Sequence, residues 1–419
     1  MTTQNSTPNN STAALVMLTI LMCLWGLANN MTGTLLQNFR NIIDMSDTQE
    51  NVIKSAFYAA YFFAALPAVV YLYKCHSYRS CVLLGLVLYA LGAMLFFPAA
   101  SMESYIFYLI AIYVMANGCA VLETVANTYI VASAPTHDNG VFRLNLAQSF
   151  NPVGSVVGIL LCQYVIMDNV GYNVNILDNP EVVREELDTI TMLYAGLGEF
   201  LLVLLVMTMF VSVPSISEVM IGHRAKELRL SIGRVLHNHG FLRGALAIFV
   251  YVGAQTGVWG FSVATINEQG EDFNATFLYT CSMVVFAVSR FVFTWLMKYC
   301  RYQKILLWTS IFAFVLTIVL LFGGGITVVA ALMGISCCMS MMFATIFGMA
   351  LEDTGRDMQT GGAILVMMIV GGALVPVLQN LLAKILNAQM SYMLPAVCFL
   401  GIVGYASFAL LLGDKKTNV

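Results

Sequence analysis

One acidic residue stands in the middle of a long apolar run. Glu123 lies in the segment AVLETVANTYIVA, with no basic residue close to it in sequence. A charged side chain in such surroundings costs roughly 3 kcal/mol, so an acid placed there is a candidate for function. Desolvation favours the neutral form of such a carboxyl group, which could therefore exchange a proton near neutral pH or accept hydrogen bonds from ligand hydroxyls. The alternative is a protonated glutamic acid that bonds a polar group of a neighbouring helix.

Amide and aromatic side chains recur in three other apolar segments. Amides bond hydroxyl groups and aromatic rings stack on C–H faces, so a set of both is typical of a carbohydrate site. The alternative is hydrogen bonding between helices, which is common in helical bundles. Because these segments occur together with a buried acid, we favour a polar central cavity. The residues are Trp25 and Asn30, then Asn145, Gln148 and Asn151 along one helix face, then Gln255 and Trp259 four residues apart.

Two further ionisable residues lie in apolar segments. Glu199, in AGLGEFLLVLL, is nearer the end of its segment and suits a functional or a structural role equally. For Arg290, in AVSRFVFTW, we expect a structural role, either by extending its charge to the cytoplasmic face of the membrane or by pairing with an acid.

The composition requires a membrane environment for the helices that carry these residues. Of the 419 residues, 59% are hydrophobic and 10% are charged, whereas a soluble domain carries about 25% charged residues. The net charge is −3 and the basic residues are scattered, which excludes a nucleic-acid-binding surface. The ten cysteines lie mostly within apolar runs and are interpreted as packing residues rather than a disulfide framework.

Apolar segments of about 20 residues predict twelve transmembrane helices. We therefore predict an all-α membrane protein with a six-helix half at 1–213, a connector at 214–243 and a second six-helix half at 244–419. The connector is basic, so it and both termini are expected in the cytoplasm. The predicted spans are 13–36, 51–73, 80–100, 105–133, 144–167, 191–213, 244–266, 274–298, 304–323, 327–351, 362–386 and 393–413.

This layout of two six-helix halves is that of the major facilitator fold, in which the halves rock around a central binding site. The chain has no phosphate-binding GxxxxGK[ST] loop and no HExxH zinc motif. It also lacks the GxSxG nucleophile motif. We therefore expect no enzyme activity, no metal and no cofactor.

Several of the polar segments resemble the fucose permeases, which form the fucose–galactose–glucose branch of sugar:proton symporters within the major facilitators. The resemblance extends over nearly the whole chain, and LETVAN together with FRLNLAQSFN is its most specific part. The similar segments are WGLANNMTGTLL, KSAFYAAYF, LYALGAMLFFPAA, LETVAN, FRLNLAQSFNPVGS, YVGAQTGVW and ILVMMIVGGALVPV.

The resemblance implies roles for individual residues. It implies that Glu123 contributes to sugar binding and proton coupling. Phe343 stands where the fucose permease has a tyrosine, which would remove one hydroxyl from the cavity. The cavity residues implied are Asn30, Gln148 and Asn151, with Trp25 and Trp259 as aromatic plates.

One position departs from the family pattern. The first helix of these permeases reads ANNxxD, and its aspartate is the expected proton carrier; here the sequence reads ANNMTG, with Gly33 in its place. Glycine cannot carry a proton. Three explanations remain open: Glu123 couples protons alone, Glu199 has taken over the task, or transport is uncoupled.

We therefore predict an L-fucose:proton symporter in the inner membrane, working as a monomer with a sugar and a proton as its ligands. Asn30, Gln148, Asn151 and Gln255 are expected to bond sugar hydroxyls, while Trp25 and Trp259 stack on the ring. The alternatives are an uncoupled facilitator, a symporter for galactose or glucose, and a membrane sugar sensor without transport.

Overall fold

The computed structural model describes residues 15–27, 30, 47–102, 104–167, 180–210, 225–270 and 274–417, and the regular structure in them is helical. Eleven helices are long and apolar enough to cross a membrane, and the shorter apolar helix Leu15–Leu27 brings the set to twelve. We number these spans 1 to 12 in chain order. Their number agrees with the twelve predicted spans, because length and hydropathy alone specify such segments.

Among the described residues, eight helices form the spans of the first half. Span 3 and span 5 each consist of two helices in succession. The helices are Leu15–Leu27, Asp47–Cys75, Tyr78–Met94 followed by Phe96–Ser101, Tyr105–Ala132, His137–Gln148 followed by Phe150–Met167, and Pro180–Phe210.

The described spans of the second half are also partly straight and partly interrupted, but here the interrupted ones are spans 10 and 11. Within the predicted connector lies the helix Ala225–Leu236, and span 7 begins at His239. Short 3-10 turns at Gly355–Asp357, Met368–Val370 and Met390–Tyr392 start or interrupt the last two spans. The helices are His239–Asn267, Ala275–Leu296, Tyr302–Phe322, Ile326–Met339 followed by Met342–Glu352, Met358–Met367 followed by Gly371–Ile385, and Met393–Thr417.

The interruption of span 5 has a local cause. Its two helices are separated at Ser149, whose hydroxyl donates to the carbonyl of Asn145 at 2.8 Å. Such a bond lets a serine side chain compete with the helix backbone for the carbonyl and bends the helix. The bend lies between Gln148 and Asn151, so it sets the directions of the two amides predicted to face the cavity.

The first half and the second half are in contact at the end of the molecule that carries the connector helix, here called the connector end. Tyr73 of span 2 bonds Thr360 of span 11 at 3.1 Å. Nearby, Gln359 donates to Tyr78 at 3.3 Å. On the other flank, the hydroxyl of Tyr302 donates to Asp138 at 3.1 Å. These side-chain bonds join spans of opposite halves, so the two halves are closed against each other here.

The connector helix is bound to the same region by an ion pair. Arg234 donates to both carboxylate oxygens of Asp357, at 2.7 and 2.6 Å, and Ser231 donates to Thr360 at 2.8 Å. At the other end of the molecule, Glu268 accepts bonds from the backbone of Ala388 and Gln389, all within the second half. Further along span 5, Ser149 bonds Thr294 of span 8 at 3.3 Å. The hydrogen bonds described between the halves thus lie at the connector end and at this position of span 5.

A close helix crossing positions the first span. A side chain at Gly154 of span 5 would collide with the backbone carbonyl of Cys23, and one at Gly26 would collide with the carbonyl of Asn151. Small residues at such crossings let membrane helices approach backbone to backbone. Spans 1 and 5 are thereby held together, which brings Trp25 close to Asn151.

Candidate functional site

Glu123 begins a chain of buried hydrogen bonds between spans 4 and 5. Its side chain is 3% exposed, and one carboxyl oxygen accepts a hydrogen bond from the amide of Asn127 at 3.3 Å. Asn127, one helical turn further along, is fully buried and accepts in turn from the amide of Gln148 at 2.9 Å. The acid predicted to bind a proton and an amide predicted to bind sugar are therefore joined through one asparagine.

A tyrosine of span 2 lies near the acid and is bonded to a tryptophan of span 1. The indole nitrogen of Trp25 donates to the hydroxyl of Tyr61 at 2.6 Å, and the two rings are nearly parallel, with centroids 6.4 Å apart. Tyr61 also lies within electrostatic range of Glu123. Buried tryptophan and tyrosine usually satisfy their polar atoms in this way. The bond fixes the plane of Trp25, which is the residue predicted to stack on a sugar.

Two further predicted residues are oriented by the backbone of span 1. The amide of Asn151 donates to the carbonyl of Met22 at 3.1 Å, and the amide of Asn30 donates to the carbonyl of Gly26 at 3.2 Å. Both side chains are half-buried. One N–H group of each amide is thus engaged, which limits the rotamers that present the rest of the amide to a ligand.

The second half contributes a separate aromatic group. Trp259 is half-buried and donates to the hydroxyl of Ser336 at 3.3 Å, which is itself bonded to Ser282 at 2.6 Å. Its ring meets Phe286 edge to face, with centroids 4.8 Å apart. Gln255 lies one turn before Trp259 on the same helix and is half-buried.

Phe343 packs within an aromatic row on spans 7 and 10. Its ring lies 6.3 Å from Tyr251 and 5.8 Å from Phe347. Tyr251 is fully buried and donates its hydroxyl to the carbonyl of Met339 at 2.8 Å. The loss of a hydroxyl that the resemblance implies at Phe343 thus falls beside a tyrosine whose own hydroxyl is already bonded.

Arg290 of span 8 is buried, with 4% of its side chain exposed. It therefore does not extend its charge to the cytoplasmic face of the membrane, which was one of its two expected roles. Its guanidinium lies 5.8 Å from the ring centre of Phe286 and within electrostatic range of both Glu123 and Tyr251. The interaction with Glu123 joins the halves, because the two residues belong to spans 8 and 4.

Glu199, in contrast, is exposed on span 6. An exposed carboxyl on an outer face of the bundle has no part in the buried hydrogen-bond chain. Gly33, the position of the expected proton carrier, lies outside the described residues.

The structure places the predicted residues in several separate contacts rather than in one cluster. In the first half, Glu123 and Gln148 are linked through Asn127, and Trp25 is linked to Tyr61. In the second half, Trp259 and Phe343 belong to different aromatic contacts. Tyr61 and Arg290 were not predicted as site residues, although Tyr61 lies within the stretch KSAFYAAYF that carries part of the resemblance.

In the part of the chain that the structure describes, no group of three or more His, Cys, Asp or Glu side chains could hold a metal ion. The site residues described above are amides, aromatic rings and hydroxyls near one acid and one arginine. Such groups can bind a polyhydroxylated ligand and can hold or release one proton.

Known proteins share the sequence pattern and the fold of this chain. The sequence pattern of the Major Facilitator Superfamily matches residues 18–376. The L-fucose-proton symporter of Escherichia coli (strain K12) is 32% identical over 403 residues, covering 93% of this chain and 91% of that protein. The glucose/galactose transporter of Brucella abortus (strain 2308) is 29% identical over 425 residues, covering 99% and 97%. A crystal structure of the transporter FucP in its outward conformation superposes with a TM-score of 0.83 at 31% identity, covering 94% of this chain and 98% of that chain.

Proposed function

This chain belongs to the major facilitator superfamily, and from that premise we propose that it carries a monosaccharide together with a proton across the membrane. L-fucose is the expected sugar, since two relatives that are 32% and 30% identical over more than nine-tenths of this chain are named L-fucose-proton symporters. The observation that carries the proposal is the buried Glu123, bonded through Asn127 to Gln148 between spans 4 and 5.

We assign to Glu123 the binding of both the proton and a hydroxyl group of the sugar. When it is protonated it can donate to a sugar hydroxyl, and when it is ionised it can accept from one. Because Asn127 connects it to Gln148, a change in its protonation alters the hydrogen bonding of an amide that contacts sugar. Coupling between two ligands is reciprocal, so a proton that favours sugar binding is itself held more tightly when sugar is bound.

The sugar is assigned to the space between the two halves. Amides of the first half, Gln148, Asn151 and Asn30, would bond its hydroxyls, and Trp25 would stack on its ring. Gln255 and Trp259 would contact it from the second half. Repeat interfaces near the bilayer midplane are where transporters of this architecture bind their substrates.

The described contacts between halves indicate which side is closed. We assign the connector end to the cytoplasm, because the connector carries the largest cluster of basic residues outside the spans. Closure at this end then corresponds to a conformation open to the outside of the cell. We place the protein in the inner membrane as a monomer with both termini in the cytoplasm, and transport would proceed by opening the contacts at the connector end.

A second candidate is a facilitator that moves the same sugar without a proton. It is favoured by Gly33, which replaces the acid expected in the first helix. The two candidates differ in whether sugar accumulates against its gradient, and therefore in their response to loss of the carboxyl at Glu123.

The proposal is tested by comparing two acid-to-amide variants in proteoliposomes. Glu123→Gln should abolish uphill uptake of labelled L-fucose driven by an inward proton gradient, while sugar exchange at equal concentrations on both sides continues. Glu199→Gln is the matched control, because it neutralises an exposed acid in another span, and it should transport as the unmodified protein does. Uphill uptake that survives in Glu123→Gln would show that the proton is carried elsewhere.

A further inference from the structure

Two tyrosines of opposite halves lie between the proposed sugar site and the end of the molecule opposite the connector. This end, which carries Glu268, is here called the outer end, and the hydrogen bonds described there stay within one half. Tyr58 of span 2 lies one helical turn beyond Tyr61, on the side away from the connector end. Tyr279 of span 8 lies two turns beyond Phe286 in the same direction.

Tyr58 reaches across the boundary between the halves. A Cβ atom added to Gly372 of span 11 would lie 2.7 Å from Cε1 of the Tyr58 ring. The ring therefore lies directly against the backbone of Gly372, which is possible because glycine has no side chain. In its own half the same ring meets Phe57 edge to face, with centroids 5.6 Å apart. Tyr58 lies fifteen residues before Tyr73, or roughly 22 Å of helix, so this contact is well separated from the closed connector end.

Tyr279 is the counterpart of Tyr58 in the second half. Its phenol group lies within electrostatic range of the phenol group of Tyr58, and both side chains are half-buried. The hydrogen bonds described for spans 2 and 8 involve neither of these two hydroxyls. A phenolic hydroxyl both donates and accepts, so the two side chains can form one hydrogen bond when the halves approach each other at the outer end.

We infer that Tyr58 and Tyr279 form an outer gate, in which the two hydroxyls bond each other and the two rings cover the sugar when the outer end closes. The inference rests on the proposed function, since it requires a sugar site between the halves. Tyrosine suits this task because its ring is large and rigid and its hydroxyl supplies a polar contact at the tip. Closing elements of this kind separate a bound ligand from water and commit it to the next step.

Gly372 gives the gate a seat in the second half. Because the ring of Tyr58 lies on bare backbone there, spans 2 and 11 can tilt about this contact without separating the ring from the other half. The outer gate and the contacts at the connector end then act in alternation, as rocking of two halves around a fixed site requires.

The inference is tested by comparing sugar binding with sugar exchange in the purified full-length protein. Tyr58→Phe and Tyr279→Phe keep the rings and remove the hydroxyls. Each should leave the Kd for L-fucose unchanged, because binding from the outside does not need the gate. Each should slow exchange in proteoliposomes roughly fivefold, the factor that corresponds to about 1 kcal/mol for one hydrogen bond. The double variant should be no slower than either single variant, since both hydroxyls serve one bond.

The matched control is Tyr299→Phe, which removes an exposed hydroxyl just beyond the other end of span 8. It should exchange sugar as the unmodified protein does. Distances between spin labels at Met102 and Ile326, two exposed residues at the outer ends of spans 3 and 10, measure closure without any sugar. The ratio of short to long distances should fall roughly fivefold in Tyr58→Phe, and no further in the double variant.

Three results would overturn the inference: unchanged exchange in both folded single variants, a raised Kd that accounts for the slower exchange, or losses that multiply in the double variant. A raised Kd would mean that the tyrosines contact sugar instead of closing over it. If the unmodified protein binds neither L-fucose, galactose nor glucose, the proposed function fails. The gate is then still judged by the spin-label distances, which overturn it if they are the same in Tyr58→Phe and in the unmodified protein.

Discussion

The hydrogen-bond chain through Asn127 makes a quantitative prediction about transport. Asn127→Leu keeps the branched shape and the number of side-chain heavy atoms but removes the acceptor oxygen and the donor NH2 group at a fully buried position. The amide of Gln148 then loses its acceptor at 2.9 Å, and the carboxyl of Glu123 loses its donor at 3.3 Å. Each buried group left unmatched costs about 1–3 kcal/mol.

Part of that cost is expected to appear in sugar binding, because Gln148 is no longer held in one orientation. A loss of about 1–2 kcal/mol corresponds to a factor of roughly 5–30. We therefore expect the Kd for L-fucose to rise by that factor. Proton-driven net uptake should fall further than exchange, since net uptake also requires Glu123 to release its proton and the ionised carboxylate has lost a donor.

The assay compares uptake and exchange of labelled sugar in proteoliposomes with fluorescence-monitored binding. Asn117→Leu is the control, because Asn117 lies on the same span and its described hydrogen bond goes to the carbonyl one turn before it, at Tyr113. This variant should behave as the unmodified protein. The reasoning would be refuted if folded Asn127→Leu protein bound and accumulated sugar normally, or if both variants lost activity to the same degree.

Two glycine substitutions test the packing that positions the site. Gly362→Leu should open the connector end, because a side chain there would collide with Thr128 of the other half. Spin-label distances between the halves at this end should then lengthen. Gly404→Leu is the control, because Gly404 has open space around it, and it should leave these distances unchanged. Gly154→Leu should lower the free energy of unfolding by about 1–3 kcal/mol or more, because the new side chain would push against the backbone of Cys23. If this variant unfolds at the same temperature as the unmodified protein, spans 1 and 5 can separate without cost.

Several features of the site could be predicted because they depend on one helix alone. The twelve spans follow from the lengths of the apolar runs. Glu123 and Asn127 are one helical turn apart, so their placement on one face follows from the helix repeat. The three amides around the bend of span 5 follow from the same rule, and the resemblance to the fucose permeases added their expected roles.

Contacts between distant helices could not be predicted in this way. The bond from Trp25 to Tyr61 joins spans 1 and 2, and nothing in the spacing of the two residues indicates it. Arg290 lies six residues before Leu296, where span 8 ends. Six residues of helix span roughly 9 Å, so the sequence alone allows its side chain to reach the surface. It is instead buried, one turn before Thr294, which bonds Ser149 of span 5 in the other half.

The central claim is that sugar and proton move together, and it is tested most directly by proton movement on addition of sugar. L-fucose would be added to proteoliposomes without an imposed gradient while the external pH is followed, with galactose and glucose as comparison sugars. The account predicts alkalinisation outside with the unmodified protein and none with Glu123→Gln. Entry of labelled sugar without any pH change in the unmodified protein would contradict it and would establish a facilitator.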